Sequence, residues 1–466
     1  MVTIKKNERY TVEITDYTEE GLGVGKVKMA DGESFFPLFI KNTAVGDKIV
    51  AEVIKVKKTY GYGRIIEVLS PSADRKDPGC AVFGKCGGCQ LRHIRYGAQL
   101  QWKERRVSDV MERVGGVKAG LDYEFLPIVG MDDTARYRNK AQYPVGIKDG
   151  KTVTGFYAGR THAIIPTDDC MIEHEDNAEI LRFIRCFWDD SKLSVYNEET
   201  GKGILRHILI RTAFTSKETM VCLVVNLKDS DEKYLKKFER LGEELKKSND
   251  NISSFILNFN SKNTNVILGD KERVIFGQGF ITDHICDMRS RVSAGSFFQV
   301  NPVQTVKLYE KALEFAGLTG EENVWDLYCG TGTISLFLAK KAGFVYGVES
   351  FEKAVEDAKT NAKDNDIKNV RFICSGAEDI KISEDIRRPD VIVVDPPRKG
   401  CDERLLETIT KAGTKRLVYV SCNPATLARD TAILNASGMS LKSLQPVDMF
   451  PETTGVENVA LFEKKS

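Results

Sequence analysis

No stretch of this sequence approaches the roughly 18 to 20 consecutive apolar residues that a membrane-spanning helix needs, so no membrane partner is expected. Residues 1–10 carry charges where a signal peptide would have its apolar region, which sets the expectation of a cytoplasmic protein. A strong charge of one sign is also missing: 68 Lys and Arg face 67 Asp and Glu, for a net charge of +1. That excludes a chain held on a polyanion by its overall field, and any nucleic-acid contact must be local. Histidine is scarce, with five in 466 residues, which turns the search for proton-transfer groups toward carboxylates. Cysteine is not scarce. In a large chain without an apolar leader, eleven cysteines point to metal binding or catalysis rather than to a disulfide scaffold. The length calls for two or three domains.

Positive charge gathers in two places. Residues 84–118 carry Lys85, Arg92, Arg95, Lys103, Arg105, Arg106, Arg113 and Lys118 against Glu104, Asp109 and Glu112. Residues 136–160 carry Arg136, Arg138, Lys140, Lys148, Lys151 and Arg160 against Asp149 alone. A solvated helix face accounts for the first run as readily as a binding surface does. The second begins Arg136-Tyr-Arg-Asn-Lys140, a mixture of cations, an aromatic ring and an amide that suits phosphates and exposed bases.

Three regions follow one another along the chain. From Tyr10 to about Val68, short alternating runs (10–14, 34–40, 48–56 and 61–68) are punctuated by Gly21, Gly23, Gly25 and Gly32, the pattern of a small β-barrel. This part resembles a TRAM domain, an OB-like barrel of RNA-modifying enzymes, over residues 2–69. A polar linker, Pro71 to Gly79, leads into an α+β region at about 80–285, with strands near 220–226 and 254–258 and a charged helix at 230–247. Within it, residues 98–114 place Val107, Val110, Met111 and Val114 on one helical face. From about 296 onward, helices alternate with strands that are apolar on both faces, which indicates a parallel, doubly wound sheet. Ligands of such sheets lie at the carboxyl ends of the strands.

Val324-Trp-Asp326-Leu-Tyr328-Cys-Gly330-Thr-Gly332-Thr333 reads as a strand, a glycine loop and a helix start, and Glu349 ends the next strand, where a carboxylate accepts bonds from ribose hydroxyls. A dinucleotide site would have a third glycine at position 335, which is serine, and an acid, Asp326, precedes the loop instead. An acid there suits the cationic amino-acid end of S-adenosyl-L-methionine (SAM) better than a pyrophosphate.

Two further motifs end apolar strands on the same rim: Asp395-Pro-Pro-Arg398-Lys-Gly400 and Ser421-Cys422-Asn423-Pro424. Glu457 precedes the last apolar run. Carbon 5 of uracil is too weak a nucleophile to attack a methyl sulfonium, but a thiolate added at carbon 6 turns it into an enolate carbon that can. Cys422 is the candidate for that thiolate. Glu457 is the candidate base for the carbon 5 proton, although Glu452 lies nearby and offers the same group. A paired base hides both ring carbons, so the uridine must be unpaired or flipped out.

With Phe298-Gln299-Val-Asn301-Pro302, these motifs resemble the bacterial uracil-5-methyltransferases of 23S ribosomal RNA, and the resemblance spans essentially the whole chain. It implies a Rossmann-like doubly wound α/β methyltransferase domain at 96–124 and 286–466. It also implies an OB-like barrel at 1–70 and a central α+β domain at 75–95 and 125–285. By the same resemblance Gln299, Tyr328, Glu349 and Asp395 contact SAM, Cys422 is the nucleophile, Glu457 is the base, and the substrate is 23S rRNA, handled by a monomer. The helix at 98–114 would pack on the methyltransferase domain.

Cys80, Cys86 and Cys89 lie among glycines, and Cys170 follows much later. Three clustered thiols and one remote thiol fit either an iron–sulfur cluster or structural zinc. The resemblance implies a [4Fe-4S] cluster on these four, which would staple an RNA-binding surface. Cys186, Cys222, Cys286, Cys329, Cys374 and Cys401 are then packing residues. A radical-SAM methylthiotransferase would need cysteine gaps of three and two, whereas these are five and two, and an exocyclic-amine methyltransferase needs no cysteine. A transfer-RNA uracil methyltransferase and a non-catalytic ribosome-assembly factor remain as alternatives.

Overall fold

The computed structural model describes residues 4–29 and 33–465. The expected turn glycine Gly32 and the outermost ends of the expected domains lie outside the described residues. The chain divides into two compact units: one of residues 1–103, 156–165 and 450–455, the other of 104–155, 166–449 and 456–466.

The first unit is built on a closed five-stranded barrel, in the order Arg9–Tyr17, Gly23–Lys28, Phe35–Ile40, Gly61–Ser70 and Lys48–Val56. Alternation fills its interior with Val12, Ile14, Val27, Leu38, Ile40, Ile49, Ala51 and Val53. The second strand departs from the sequence reading, in which Gly23 and Gly25 mark turns. Both are strand residues. A Cβ at Gly23 would lie 1.9 Å from Thr43 Oγ1, and one at Gly25 would lie 2.8 Å from Val12 Cγ2. The missing side chains let the strands close over the core. Residues 71–95 contain turns and isolated bridges rather than regular elements. They are tied to the barrel by Asp47, which accepts from Ser72 N (2.9 Å) and Arg75 Nε (2.8 Å), and by packing of Leu91, Ile94 and Trp102 against Tyr17.

In the second unit, strands Lys271–Phe276, Ile252–Phe259, Thr219–Val225, Leu205–Thr212 and Lys140–Lys148 lie side by side in a seven-stranded sheet. Helices Asp176–Asp190 and Leu235–Ser248 supply Trp188 and Phe238, whose rings meet 6.2 Å apart. The charged helix expected at 230–247 starts later, at Leu235, after a single tight turn at Glu232–Tyr234.

The larger sheet has eight strands, in the order Val370–Cys374, Phe344–Glu349, Asn323–Leu327, Val391–Val394, Arg416–Ser421, Glu457–Lys464, Met439–Val447 and Glu124–Phe125. The first five are mutually parallel, as their two-sided apolar sequences require, and Glu457–Lys464 runs antiparallel to Arg416–Ser421. Strand order reverses between Asn323–Leu327 and Val391–Val394, the switch point where a crevice opens at the carboxyl ends. Helix Tyr96–Arg113 gives Val107 and Met111 to the core around Trp325 and Tyr419, whereas Val114, placed on the same face by the sequence, lies beyond the helix and is 51% exposed. Among the described residues, no helix is long and apolar enough to cross a membrane.

Candidate active site

Strand Asn323–Leu327 ends in a loop that no ordinary backbone could follow: Tyr328, Gly330 and Gly332 have φ of 66°, 55° and 81°. At Gly332 a side chain would also strike the Phe372 ring, 2.7 Å away, so helix Thr333–Ala339 can start only from glycine. Tyr328 is no glycine. Its left-handed conformation is the kind of local strain that folds retain at ligand loops.

Asp326 is fully buried at the end of this strand. Its Oδ2 accepts a hydrogen bond from Ser335 Oγ, and its Oδ1 is buried with no partner. Burial, reinforced by the charge of Asp395, pushes its carboxyl up to about 7. An orphaned buried carboxylate oxygen is costly unless a donor arrives, and an ammonium group is such a donor. Ser335, standing where a dinucleotide fold has glycine, holds the other oxygen in place. Glu349 is aimed into the same loop, with Oε2 accepting from Gly330 N (3.2 Å) and Oε1 from Phe351 N (2.9 Å). A Cβ at Gly330 would meet nothing within 4 Å, so the loop opens onto free space beside both acids. These residues fit a ligand with a cationic amino-acid end and ribose hydroxyls.

Gln299 lies on the segment leading into helix Pro302–Ala316, and its backbone carbonyl accepts from Asn139 Nδ2 at 2.9 Å. Its side chain bonds the hydroxyl of Tyr309, a buried ring whose electrostatic neighbours are Asp395, Asp326 and Glu457. Tyr309 thus marks where the three acids converge. Its sequence signal, an aromatic at helical spacing, reads only as packing. Phe297, beside Gln299, is 67% exposed.

Asp395 follows strand Val391–Val394, and burial pushes its carboxyl up to about 7. The turn beyond it is pinned by helix Pro424–Ala436. Asn423 Nδ2 and Thr426 Oγ1 donate to Arg398 O (3.2 and 3.4 Å), and Arg429 Nη2 donates to Lys399 O (3.1 Å) and Cys401 O (2.9 Å). Asp430 Oδ2 accepts from Cys401 N (2.9 Å) and Tyr419 hydroxyl (2.7 Å).

Cys422 sits half-buried in the joint between strand Arg416–Ser421 and helix Pro424–Ala436, which Asn423 caps by accepting from Ala425 N at 3.0 Å. The antiparallel register pairs Ser421 with Asn458, so the next residues outward, Cys422 and Glu457, lie side by side at the strand end, close enough for each other's charge to be felt. Burial, then the charges of Glu457 and Asp395, push the Cys422 thiol up to about 11, and Arg398 opposes them. Glu457 is pushed up to about 8 by burial and Asp395, again opposed by Arg398. Arg398 is therefore the cation of this cluster. Glu452 belongs to the other unit and is engaged there, accepting from Lys76 Nζ at 2.9 Å and Gln99 Nε2 at 3.0 Å.

Cys80, Cys86 and Cys89 lie in the first unit and Cys170 in the second. Burial raises the Cys86 thiol, and the nearby Cys80 thiol adds to the shift. Among the described residues no three His, Cys, Asp or Glu side chains are gathered closely enough to hold a metal. The packing role assigned to the remaining cysteines holds for Cys222, Cys329 and Cys401, which are buried, but Cys186, Cys286 and Cys374 are exposed. The basic runs are also partly consumed within the fold: Arg136 pairs with Asp169 (2.6 Å), Arg138 with Glu173 (3.4 Å), and Lys103 is fully buried.

The sequence pattern of the tRNA (uracil-5-)-methyltransferase family matches residues 202–465, and that of the TRAM domain matches residues 5–66. An RNA methyltransferase of Halalkalibacterium halodurans is 46% identical over 99% of this chain and 98% of its own length. One from Clostridium acetobutylicum is 43% identical over 100% and 99%. Among solved structures, Pyrococcus abyssi tRNA (uracil-54, C5)-methyltransferase in complex with S-adenosyl-L-homocysteine superposes with a TM-score of 0.76 at 26% identity, covering 97% of this chain and 100% of that one. This chain belongs to the RNA (uracil-5-)-methyltransferase family with an N-terminal TRAM domain, and is a SAM-dependent RNA methyltransferase.

Proposed function

We propose that the protein methylates carbon 5 of a uridine in 23S ribosomal RNA through a covalent bond between Cys422 and carbon 6. The observation that carries this reading is the meeting of Cys422, Glu457, Asp395 and Arg398 at one strand end, beside a loop shaped for an amino acid and a ribose. Asp326 Oδ1 receives the ligand's ammonium and Glu349 its ribose hydroxyls, with Gln299, Tyr328 and Asp395 completing the pocket. Bound SAM supplies a methyl group on a sulfonium. Cys422, after losing its proton to solvent, bonds to carbon 6, and the displaced electron pair makes carbon 5 nucleophilic. Once carbon 5 carries the methyl, Glu457 removes its proton, the carbon 5–carbon 6 double bond re-forms, and the thiolate leaves. Arg398 favours the thiolate and the ionised glutamate alike.

Transfer RNA is the second reading, and a specific observation favours it: the superposable Pyrococcus abyssi enzyme acts on tRNA and is covered along its full length, barrel included. The barrel therefore does not separate the two substrates. Comparing 5-methyluridine in 23S rRNA and in tRNA from a strain lacking this protein decides between them. Loss from 23S rRNA alone supports the proposal, and loss from tRNA alone overturns it. An iron–sulfur cluster on Cys80, Cys86, Cys89 and Cys170 is supported by the sequence resemblance and by the closeness of the Cys80 and Cys86 thiols. Iron and acid-labile sulfide in anaerobically purified protein test it, and their absence overturns it.

A further inference from the structure

Between strand Met288–Ser293 and helix Pro302–Ala316 the chain runs as a strap without regular structure, and Gln299 lies on it. What fixes the strap comes from another sheet. Arg211, on strand Leu205–Thr212 of the seven-stranded sheet, donates from Nη2 to Ser296 O and to Ala294 O, the latter at 3.4 Å. Asn139, just before strand Lys140–Lys148, donates from Nδ2 to Gln299 O and from its backbone N to Val300 O, both at 2.9 Å. Its own carbonyl accepts from Thr212 N at 2.9 Å, so this residue is itself anchored to the sheet. Phe298 completes the joint from the strap's side, buried where Arg211, Asn139 and Ile281 line the same seam.

Arg211 is costly where it stands. All eight residues of its strand are buried, and Ile208, Leu209 and Ile210 before it show what such a strand ordinarily holds. Its side chain is fully buried, and among the described residues no acid pairs with it. The register sets Lys140, a second cation, directly across from it. Burial pulls the Arg211 guanidinium down to about 10, and burial with the charges of Arg211 and Arg138 pulls Lys140 down to about 8. Nε and Nη1 of Arg211 have no partner, and the seam they line has no room for a water. For the sheet alone, an apolar side chain of similar length would serve better. The two strap carbonyls are what only a donor can hold.

We infer that Arg211 and Asn139 are positioning residues for the methyl donor: through them the seven-stranded sheet holds the strap 294–300 and fixes where Gln299 presents its side chain. Both act on the strap backbone rather than on the ligand. This rests on the reading of Gln299 as a SAM contact, and it gives a sheet that carries none of the proposed SAM residues a part in building their site.

The test uses the full-length protein, with amide hydrogen exchange read by mass spectrometry and SAM affinity read by calorimetry. Arg211→Met removes the buried charge at similar length and should not lower the melting temperature. Amides of 294–300 should exchange about tenfold faster in this variant, while those of Leu205–Thr212 and Thr219–Val225 keep their wild-type rates. A role confined to the sheet would move the sheet amides instead. SAM affinity should fall about tenfold in Arg211→Met, as the loss of bonds from a charged donor predicts, and by less in Asn139→Ala. In a Gln299→Ala background both losses should shrink to within about twofold, because the two residues act through Gln299. Unchanged strap exchange in Arg211→Met, or a full loss of affinity added to that of Gln299→Ala, overturns the inference. Should Arg211→Met melt early, unchanged strap exchange in Asn139→Ala overturns it instead. Wild-type SAM affinity in Gln299→Ala alone rejects the Gln299 reading, and the exchange rates then decide by themselves whether the sheet holds the strap.

Discussion

Two cysteine-bearing regions of this molecule differ in what fixes them. Cys422 sits where a buried strand ends, and the register of an eight-stranded sheet sets Glu457 beside it. Cys80, Cys86 and Cys89 sit in a segment of turns, tied down by a few backbone bonds such as Gly87 N to Tyr157 O at 3.1 Å. The first environment is built by the polypeptide alone, so its chemistry can be argued from the fold. The second is a run of turns, and its chemistry is argued from the spacing of its thiols.

The largest effect that would sharpen this contrast is loss of the strand-end thiol. Cys422→Ala should lower methyl transfer by at least about 10⁴-fold while SAM affinity, measured by calorimetry, stays within about twofold. Appreciable residual turnover would place the nucleophile elsewhere. Glu457→Gln should slow turnover about 10²- to 10⁴-fold and let a protein–RNA adduct accumulate on ordinary uridine, visible on a denaturing gel.

The same glutamate gives a stability test with a definite sign. Burial raises Glu457 to about 8 and Asp395 to about 7, so the fold favours their protonated forms. Stability from this source is full below the ordinary carboxylate range and is lost as pH rises toward 8. Glu457→Gln should therefore melt several degrees above wild type at pH 8 and show little difference near pH 5, by calorimetric scans at both values. For the wild type, kcat/KM should climb more steeply than about tenfold per pH unit between 6 and 8, because two protons, the thiol's and the glutamic acid's, must both leave. A flat profile would mean that neither group limits the reaction.

Smaller effects probe the supports. Asp430→Asn weakens the bond that holds Cys401 N and should lower kcat about tenfold, with KM for SAM nearly unchanged, by steady-state kinetics. On the other side of the comparison, Cys86→Ser should weaken RNA binding a few-fold in anisotropy titrations and leave SAM affinity alone. A loss of SAM binding would show that the two regions do not act separately.

Much of the methyltransferase half is legible in the sequence because its strands are apolar on both faces and its motifs end them. Asp326, Asp395 and Cys422 read in the sequence as strand-end residues, and the structure places each at or just beyond the end of a parallel strand. Tyr309 and Arg398 carry no such signal, because each looks ordinary until the acids around it are assembled. Gly23 and Gly25 mislead for the opposite reason: in a tight barrel, glycine extends a strand where a larger residue would collide with Thr43 or Val12. Glu452 and Glu457 look equivalent in sequence. Only the fold shows that the former is engaged by Lys76 and Gln99 and that the latter faces the thiol.

The central claim is that Cys422 bonds to the uracil ring. Incubating the protein with SAM and 23S rRNA transcribed with 5-fluorouridine tests it most directly, because fluorine at carbon 5 blocks the proton removal that would release the thiol. The account predicts a stable adduct whose digestion yields the peptide bearing Cys422 joined to a methylated fluorouridine, and no adduct with Cys422→Ala. Methylation without any adduct, or an adduct on another cysteine, would contradict it.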